Sequence, residues 1–368
     1  MSAGVPPFPS GCGVARARAE PPGRLALGAA TGTLFMMKLL KILGVLILVV
    51  VLAGVVAWQL ALKKATQRYG MNWEAHDASF PIPFPLDSAE LAVLKRDRIA
   101  AGASGKDPLA GVDLAAVAEQ RAEQRGQHLI ESRLGCNSCH AADFGGGAII
   151  DVPVVGYWAA PNLTTGPGGV TNGFTAHDWD LAVRHGIRHT GTSSSMPAGE
   201  FTNLSDHELS DVVAYIRSRR MVDRHIGAVR MGPVFAFLIA TDPKSLPAFM
   251  LDHQKAHATE PPPMAVSLEL GEHIAQTCSG CHNAKFSGGK MDGDPNMPIV
   301  ANITPDATGI KGWTEADFIR SMRDGKRPDG SAIAEAMPWK SYGKMTDTEL
   351  KALWLFLGSL PAVPKGQK

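Results

Sequence analysis

The chain lacks an excess of charge of either sign. Lys and Arg total 36 against 35 Asp and Glu, a net charge of +1. No basic surplus is available to neutralise phosphates, so nothing points to nucleic acid. Cysteine is scarce, with five in 368 residues. Four of these form two close pairs and Cys12 stands alone, which leaves no disulfide framework. Long apolar runs are missing but for one: Ile42–Leu62 carries no charge over 21 residues. That suffices to cross a bilayer core of about 30 Å.

Residues 1–35 are rich in Pro, Gly, Ala and Arg, and read as a disordered leader or a wrongly assigned start. Met36-Met37-Lys38-Leu39-Leu40-Lys41 has the positive character of a bacterial start, so 36–63 is expected to be a transmembrane anchor. The competing reading is a cleaved signal with Val51-Leu52-Ala53 as its site. The apolar run continues past Ala53 to Trp58 and Leu62, which favours the anchor. Lys63, Lys64 and Arg68 weaken an orientation argument from flanking positive charge. A connector follows at 64–114, where Phe80-Pro81-Ile82-Pro83-Phe84-Pro85 is too rich in proline for a helix or a central strand.

Four of the cysteines fall in Cys136-Asn137-Ser138-Cys139-His140 and Cys278-Ser279-Gly280-Cys281-His282. Cys-x-x-Cys-His is the signature of covalent c-type haem attachment. Two thiols add across the two vinyl groups of one porphyrin, so they must lie one helical turn apart. The His that follows then faces the iron. A four-Cys zinc site is disfavoured by the long stretch between the pairs, and a pair of redox dithiols by the His after each.

The surroundings of the two motifs match. Gly126-Gln127-His128-Leu129 corresponds to Gly271-Glu272-His273-Ile274, Asn162-Leu163-Thr164 to Asn302-Ile303-Thr304, and Met196-Pro197 to Met337-Pro338. Agreement in order and type implies an internal duplication, with modules at 115–222 and 266–368 joined by a linker at 223–265. Each module is expected to end in a helix. Ser205 with Glu208 and Thr346 with Glu349 form capping boxes. Leu209, Val212, Val213 and Ile216 then follow helical spacing, as do Leu350, Leu353, Trp354 and Leu357. Middle helices start at Thr175 and Thr314 and stop near Gly186 and Gly325. In the linker, Val234–Ile239 is too short to span a membrane and is expected to pack between the modules, with Pro261-Pro262-Pro263 as a stiff tie.

Each module resembles a class I c-type cytochrome domain, and the pair behind one anchor resembles the membrane-bound dihaem cytochromes c of bacterial respiratory chains. The resemblance implies an all-α fold of two tandem domains behind one transmembrane helix. It also implies close helix crossings at Gly126 with Tyr215 and at Gly271 with Phe356. More weakly, it implies that the Asn-Leu-Thr and Asn-Ile-Thr stretches, with Trp313, lie around the haem propionates; a core role for Trp313 stands beside that.

Four cysteines (Cys136, Cys139, Cys278, Cys281) are thus the expected attachment points of two haem c groups, and His140 and His282 the first axial ligands of their irons. Met196 lies 56 residues after His140 and Met337 lies 55 after His282, so these two are expected as the second ligands. A thioether opposite imidazole fills the sixth position and raises the potential. Met297, close to His282 and without a counterpart, reads as a surface methionine. His185 and His189 are competitors in the first module only, since Asp324 and Pro328 stand at the matching places. His128 and His273 read as ordinary surface or half-buried histidines.

These residues lead to the expectation of an electron carrier, or an electron-transfer subunit of a redox complex, and not an enzyme. Its partners would be a dehydrogenase, an oxidase or a soluble cytochrome. Haem attachment of this kind occurs outside the bacterial inner membrane, so the modules are expected in the periplasm. The alternative is a dihaem enzyme such as a peroxidase or a thiosulfate-oxidising cytochrome. The first needs an iron that opens, and the second resembles a pair with one Cys ligand; both modules offer Met, and Cys12 lies on the wrong side of the anchor.

Overall fold

The computed structural model describes residues 26–103, 106–291 and 297–367, with side chains from Phe35 onward. Cys12 and the leader reading of residues 1–25 lie outside them. The chain divides into two units, Met1–Ala57 and Trp58–Lys368. The first is described only by helix α1 (Ala26–Tyr69), which continues into the second. From Phe35 to Tyr69 α1 is long and apolar enough to cross a membrane, and its most apolar window is not buried at all. A core helix of a soluble protein hides such a surface; the length and composition of α1 fit a membrane anchor or a signal sequence.

The second unit starts with the connector. Phe80 and Ile82 pack on the core of the first module, and Ser210 Oγ donates to the Pro81 carbonyl at 2.9 Å. The proline stretch therefore lies against the module, as its composition implies. Helix α2 (Ser88–Ala100) follows, opened by a capping box of Asp87 and Glu90.

The first module contains α3 (Leu114–Leu129), α4 (Cys136–His140), strands β1 (Gly147–Val152) and β2 (Gly156–Ala160), α5 (Ala176–Arg184) and α6 (Asp206–Arg217). In the linker lie β3 (Arg230–Met231) and α7 (Pro233–Thr241). The second module contains α8 (Leu268–His282), α9 (Glu315–Asp324), α10 (Trp339–Tyr342) and α11 (Asp347–Ser359). The two expected capping boxes, those of Ser205 and Thr346, are formed, and Thr175 and Thr314 open α5 and α9 with two more. Each satisfies backbone N–H groups that the first helical turn leaves free.

Two helix crossings organise the modules. A Cβ on Gly126 of α3 would lie 2.0 Å from the Asp211 carbonyl oxygen and 2.9 Å from Tyr215 Cβ on α6. On Gly271 of α8 it would lie 2.1 Å from the Ala352 oxygen and 2.6 Å from Phe356 Cβ on α11. Only glycine lets the backbones approach this closely.

Between crossing and haem motif the modules differ. Ten residues separate Gly126 from Cys136, but seven separate Gly271 from Cys278. Three extra residues turn a helix by about 300°. A continuous helix would therefore aim the first motif elsewhere. Ile130–Leu134 instead forms a π-helical turn, and Gly135, at φ 59°, closes it before α4 starts. In the second module α8 runs straight through its motif.

A three-stranded antiparallel sheet, β1-β2-β3, amends the all-helical expectation: the chain is mostly helical with one small sheet. Ile150 on β1 pairs with Trp158 on β2 and Asp151 with Tyr157, while Ile149 falls at a register shift between Ala148 and Ile150; β-branched and aromatic residues suit such a pleated half-buried surface. In the second module the described residues of the matching chain form one bridge, Gly289 to Val300.

The apolar stretch of the linker is also corrected. It does not fill a gap between the modules. Ala236 and Ile239 of α7 pack with Ala65, Trp158 and Leu246, joined by Leu62 and Tyr69 from the end of α1. Small side chains at Ala65 and Ala236 permit this approach, while Val234, Phe237 and Leu238 remain exposed.

The modules contact each other directly and reciprocally. His128 Nε2 on α3 lies 2.8 Å from Glu349 Oε2 at the start of α11. His273 Nε2 on α8 lies 2.9 Å from both carboxylate oxygens of Glu208 at the start of α6. Arg133 Nη1 also reaches Glu208 Oε1 at 3.2 Å.

Candidate functional site

Cys136, Cys139 and His140 occupy the single turn of α4, and Cys278, Cys281 and His282 the last turn of α8. None of the four cysteines is in a disulfide, and Cys139 and Cys281 are exposed. Burial pushes the Cys136 and Cys278 thiols up to about 12.

The backbone beyond each motif is the same. Ala141 and Phe144 have φ of 63° and 57°, and Asn283 and Phe286 have 61° and 58°. Four non-glycine residues in the left-handed region cost about 1–2 kcal/mol each, and they recur in pairs. The reversal is closed by Gly146 N to His140 O and by Gly288 N to His282 O, each 2.9 Å.

That reversal brings a carbonyl to each histidine. His140 Nδ1 lies 2.9 Å from Pro161 O, and His282 Nδ1 lies 2.8 Å from Ala301 O. A carbonyl only accepts, so Nδ1 carries the hydrogen and Nε2 keeps its lone pair. Burial pushes both imidazoles below their ordinary value, against the opposing pull of these bonds. A neutral imidazole, oriented by a carbonyl on one nitrogen and free on the other, is what an axial metal ligand requires.

The Met-Pro loops are likewise duplicated. Gly186 and Gly325 turn the chain at φ 65° and 67° after α5 and α9. Bridges Ile187–Ser193 and Lys326–Ala332 form the loops. Met196 and Cys136 both pack against the first core, and Met337 and Cys278 both pack against the second. After each, a 2.7 Å bond closes the turn, from Ala198 N to Met196 O and from Trp339 N to Met337 O. The Trp339 indole N–H is buried without a partner in the protein. Two thiols a turn apart, a neutral imidazole, a thioether on the same core and one unpaired donor fit a covalently attached haem.

The competitors fall elsewhere. Of the other methionines, Met345 is in the second core and Met221 is exposed. His189 leans on Phe174, with ring centroids 5.2 Å apart. His185 is fully buried among other histidines, with Nδ1 3.1 Å from His253 Nδ1 and Nε2 3.2 Å from His257 Nε2.

The Asn-x-Thr stretches have a structural role that their resemblance did not imply. Asn162 Oδ1 accepts from Thr164 N and Oγ1 at 2.9 and 2.8 Å, while its Nδ2 donates to Val222 O at 2.9 Å. Asn302 repeats this with Thr304 and with Val363 O, at 2.7 Å. Each motif ties its haem-side loop to the chain just beyond the terminal helix. Trp313 packs against the second core.

The sequence reading missed His128 and His273 as contacts between modules. The signal was present: both occupy the third position of the duplicated Gly-x-His stretch.

Known proteins agree with this geometry. Residues 123–220 match the family Cytochrome c, and residues 268–357 match the family Cytochrome C oxidase, cbb3-type, subunit III. Both modules are therefore c-type cytochrome domains. The chain is similar to the cytochrome c subunit of a quinone-type alcohol dehydrogenase from Gluconacetobacter polyoxogenes, 35% identical over 30% of this chain and 26% of that protein. It is similar to the fructose dehydrogenase cytochrome subunit of Gluconobacter japonicus, 34% identical over 28% of this chain and 24% of that protein. A "diheme cytochrome c-type" protein of Cereibacter sphaeroides is 23% identical over 62% of this chain and 83% of its own length. With both modules matched, the chain is a dihaem c-type cytochrome and binds two haem c groups covalently. It spans about a quarter of the length of the two dehydrogenase subunits.

Proposed function

We propose that the chain is an electron-transfer subunit, rather than an enzyme, that passes single electrons through two six-coordinate haems. Cys136 and Cys139 hold one haem, and Cys278 and Cys281 the other. The irons are ligated by His140 with Met196 and by His282 with Met337. When bound, each haem supplies a one-electron couple. The protein fixes the tautomer of each histidine, fills the sixth position with a thioether and surrounds both with apolar side chains.

The carrying observation is the duplicated pair of a histidine held at Nδ1 by a carbonyl and a Met-Pro loop packed on the core of its own module. A dihaem peroxidase would need one iron to stay open, and nothing distinguishes the modules in that way. The domains are read as two tandem class I cytochrome c domains. The partners are a membrane or periplasmic dehydrogenase as donor, in keeping with the named relatives, and an acceptor cytochrome or oxidase. We place α1 as an uncleaved single-pass anchor in the inner membrane with both modules periplasmic, because c-type attachment is completed there.

Met196→Ala and Met337→Ala test the ligands. Each variant should keep both haems attached, lower the potential of one and open that iron to carbon monoxide. Failure of both variants to bind carbon monoxide would sink the assignment.

A further inference from the structure

Four side chains from three separate segments meet behind the first module: His76 of the connector, Asp180 of α5, His185 at its C-terminal cap and His257 of the linker. None is used by the haem centres. One potential ligand atom from each lies within 4.8 Å of all the others. Asp180 and His185 are fully buried, and the His257 side chain is 7% exposed.

The protons in this cluster can be traced. His253 Nε2 lies 2.8 Å from the Ala248 carbonyl, so it carries a hydrogen. His253 Nδ1 is then the acceptor for His185 Nδ1 at 3.1 Å. His185 therefore spends its hydrogen outward, and its Nε2 lone pair faces the cluster. There it meets Asp180 Oδ2 at 3.4 Å and His257 Nε2 at 3.2 Å. Asp180 is aimed in the same way. Arg184 Nε holds Oδ1 at 2.6 Å, while Oδ2 is buried with no hydrogen-bond partner. His76 Nδ1 is also buried without one.

Lone pairs that converge on a carboxylate oxygen repel one another unless a cation lies between them or a proton does, such as one on His257 Nε2 donated to His185 Nε2. Tetrahedral zinc with bonds of about 2.0–2.1 Å sets its ligand atoms about 3.3–3.4 Å apart. The spacings of His185 Nε2 to its two neighbours lie near this value, while His76 Nε2 to Asp180 Oδ2 at 3.9 Å and His257 Nε2 to Asp180 Oδ1 at 3.7 Å must shorten when the metal binds. An outer partner on the far nitrogen of a ligating histidine is the usual companion of such a site, and His253 supplies it.

We propose that His76, Asp180, His185 and His257 form a structural site for a divalent transition metal of the zinc class. Three imidazoles and one carboxylate match its ligand preference. The metal joins three segments distant in sequence and so clamps the connector and the linker onto the first module. The competing account is a buried His185 imidazolium paired with Asp180, which needs no metal.

The test uses the full-length, tag-free protein in detergent, washed with chelator, loaded with a zinc salt and desalted. Metal content is then counted by mass spectrometry. The expected result is about one zinc per two irons, with a thermal unfolding midpoint that rises on zinc loading. In His76→Ala/His257→Ala the iron count should hold, while zinc affinity falls by at least about 100-fold and the midpoint no longer responds to zinc. His257→Asn alone, a milder change, should show the same loss if the double variant folds poorly. A wild-type protein that retains no zinc overturns the proposal, as does undiminished zinc in the variants.

Discussion

His128 of the first module bonds Glu349 of the second, and His273 of the second bonds Glu208 of the first. These are the same two positions of the repeated unit, used twice. The module interface is therefore reciprocal: each first helix offers a histidine to the capping glutamate of the other module's last helix. The glutamates already close capping boxes, accepting from Ser205 N at 3.0 Å and Thr346 N at 2.7 Å. One carboxylate thus fixes a helix start and the neighbouring module together. For an electron carrier, a fixed interface sets a fixed distance between redox centres.

Loss of both histidines should loosen that interface. In His128→Ala/His273→Ala, the buried Glu208 keeps Arg133, but Glu349 loses its partner across the interface. Each lost contact should cost about 1–3 kcal/mol. Limited proteolysis in residues 255–265 should become faster, with both haems still attached. An unchanged cleavage rate would mean that other contacts hold the modules together.

Acid should weaken the same contact. Burial alone would raise Glu208, but the His273 hydrogen bond and the Arg133 charge outweigh it and hold it down at about 2, from 4.5. Glu349 is lowered in the same sense, with its burial opposed chiefly by the His128 bond. A carboxylate depressed in the folded state stabilises fully above its unfolded value and loses that contribution as pH falls through the folded one. For Glu208 the shift amounts to roughly 3 kcal/mol, lost progressively between about pH 5 and pH 2. Glu208→Gln should flatten that part of a stability-against-pH curve and leave the range above pH 6 unchanged in slope.

The local rules of each module were legible in the residues. Thr175, Ser205, Thr314 and Thr346 announce their helices, because caps depend on residues near in sequence, whereas the crossings at Gly126 and Gly271 followed from the resemblance to class I cytochrome domains. What depends on long-range placement was not legible. His128 and Glu349 are far apart in the chain, and only the mutual orientation of the modules makes them partners. His76, Asp180, His185 and His257 are scattered likewise. The sheet was hidden because Gly147–Ala160 lacks clean alternation and reads as a Gly-rich loop.

Gly126→Ala and Gly271→Ala pit propensity against space. Alanine in a helix interior ordinarily stabilises by about 0.5–1 kcal/mol relative to glycine. Here the added carbon lies 2.0 or 2.1 Å from a backbone oxygen, so the helices must move apart. Overpacking costs about 1–3 kcal/mol or more, so the net sign is destabilising. Urea unfolding should show a lower midpoint for either variant. A stabilised variant would mean that the helices do not cross this closely.

The attachment chemistry is separable by module. Cys139 and Cys281 are the exposed members of their pairs, so replacing either removes one thiol without opening a core. Cys139→Ala should weaken covalent attachment in the first module alone, because the second has its own pair on α8. Cys281→Ala should do the converse. His140 and His282 keep their carbonyl partners in these variants, so the neutral imidazole that faces the iron is retained. Haem staining of denaturing gels should then fall by up to about half in either variant and fall further in the double variant, where only single thioethers to Cys136 and Cys278 remain. Complete loss from a single substitution would show that attachment in one module depends on the other.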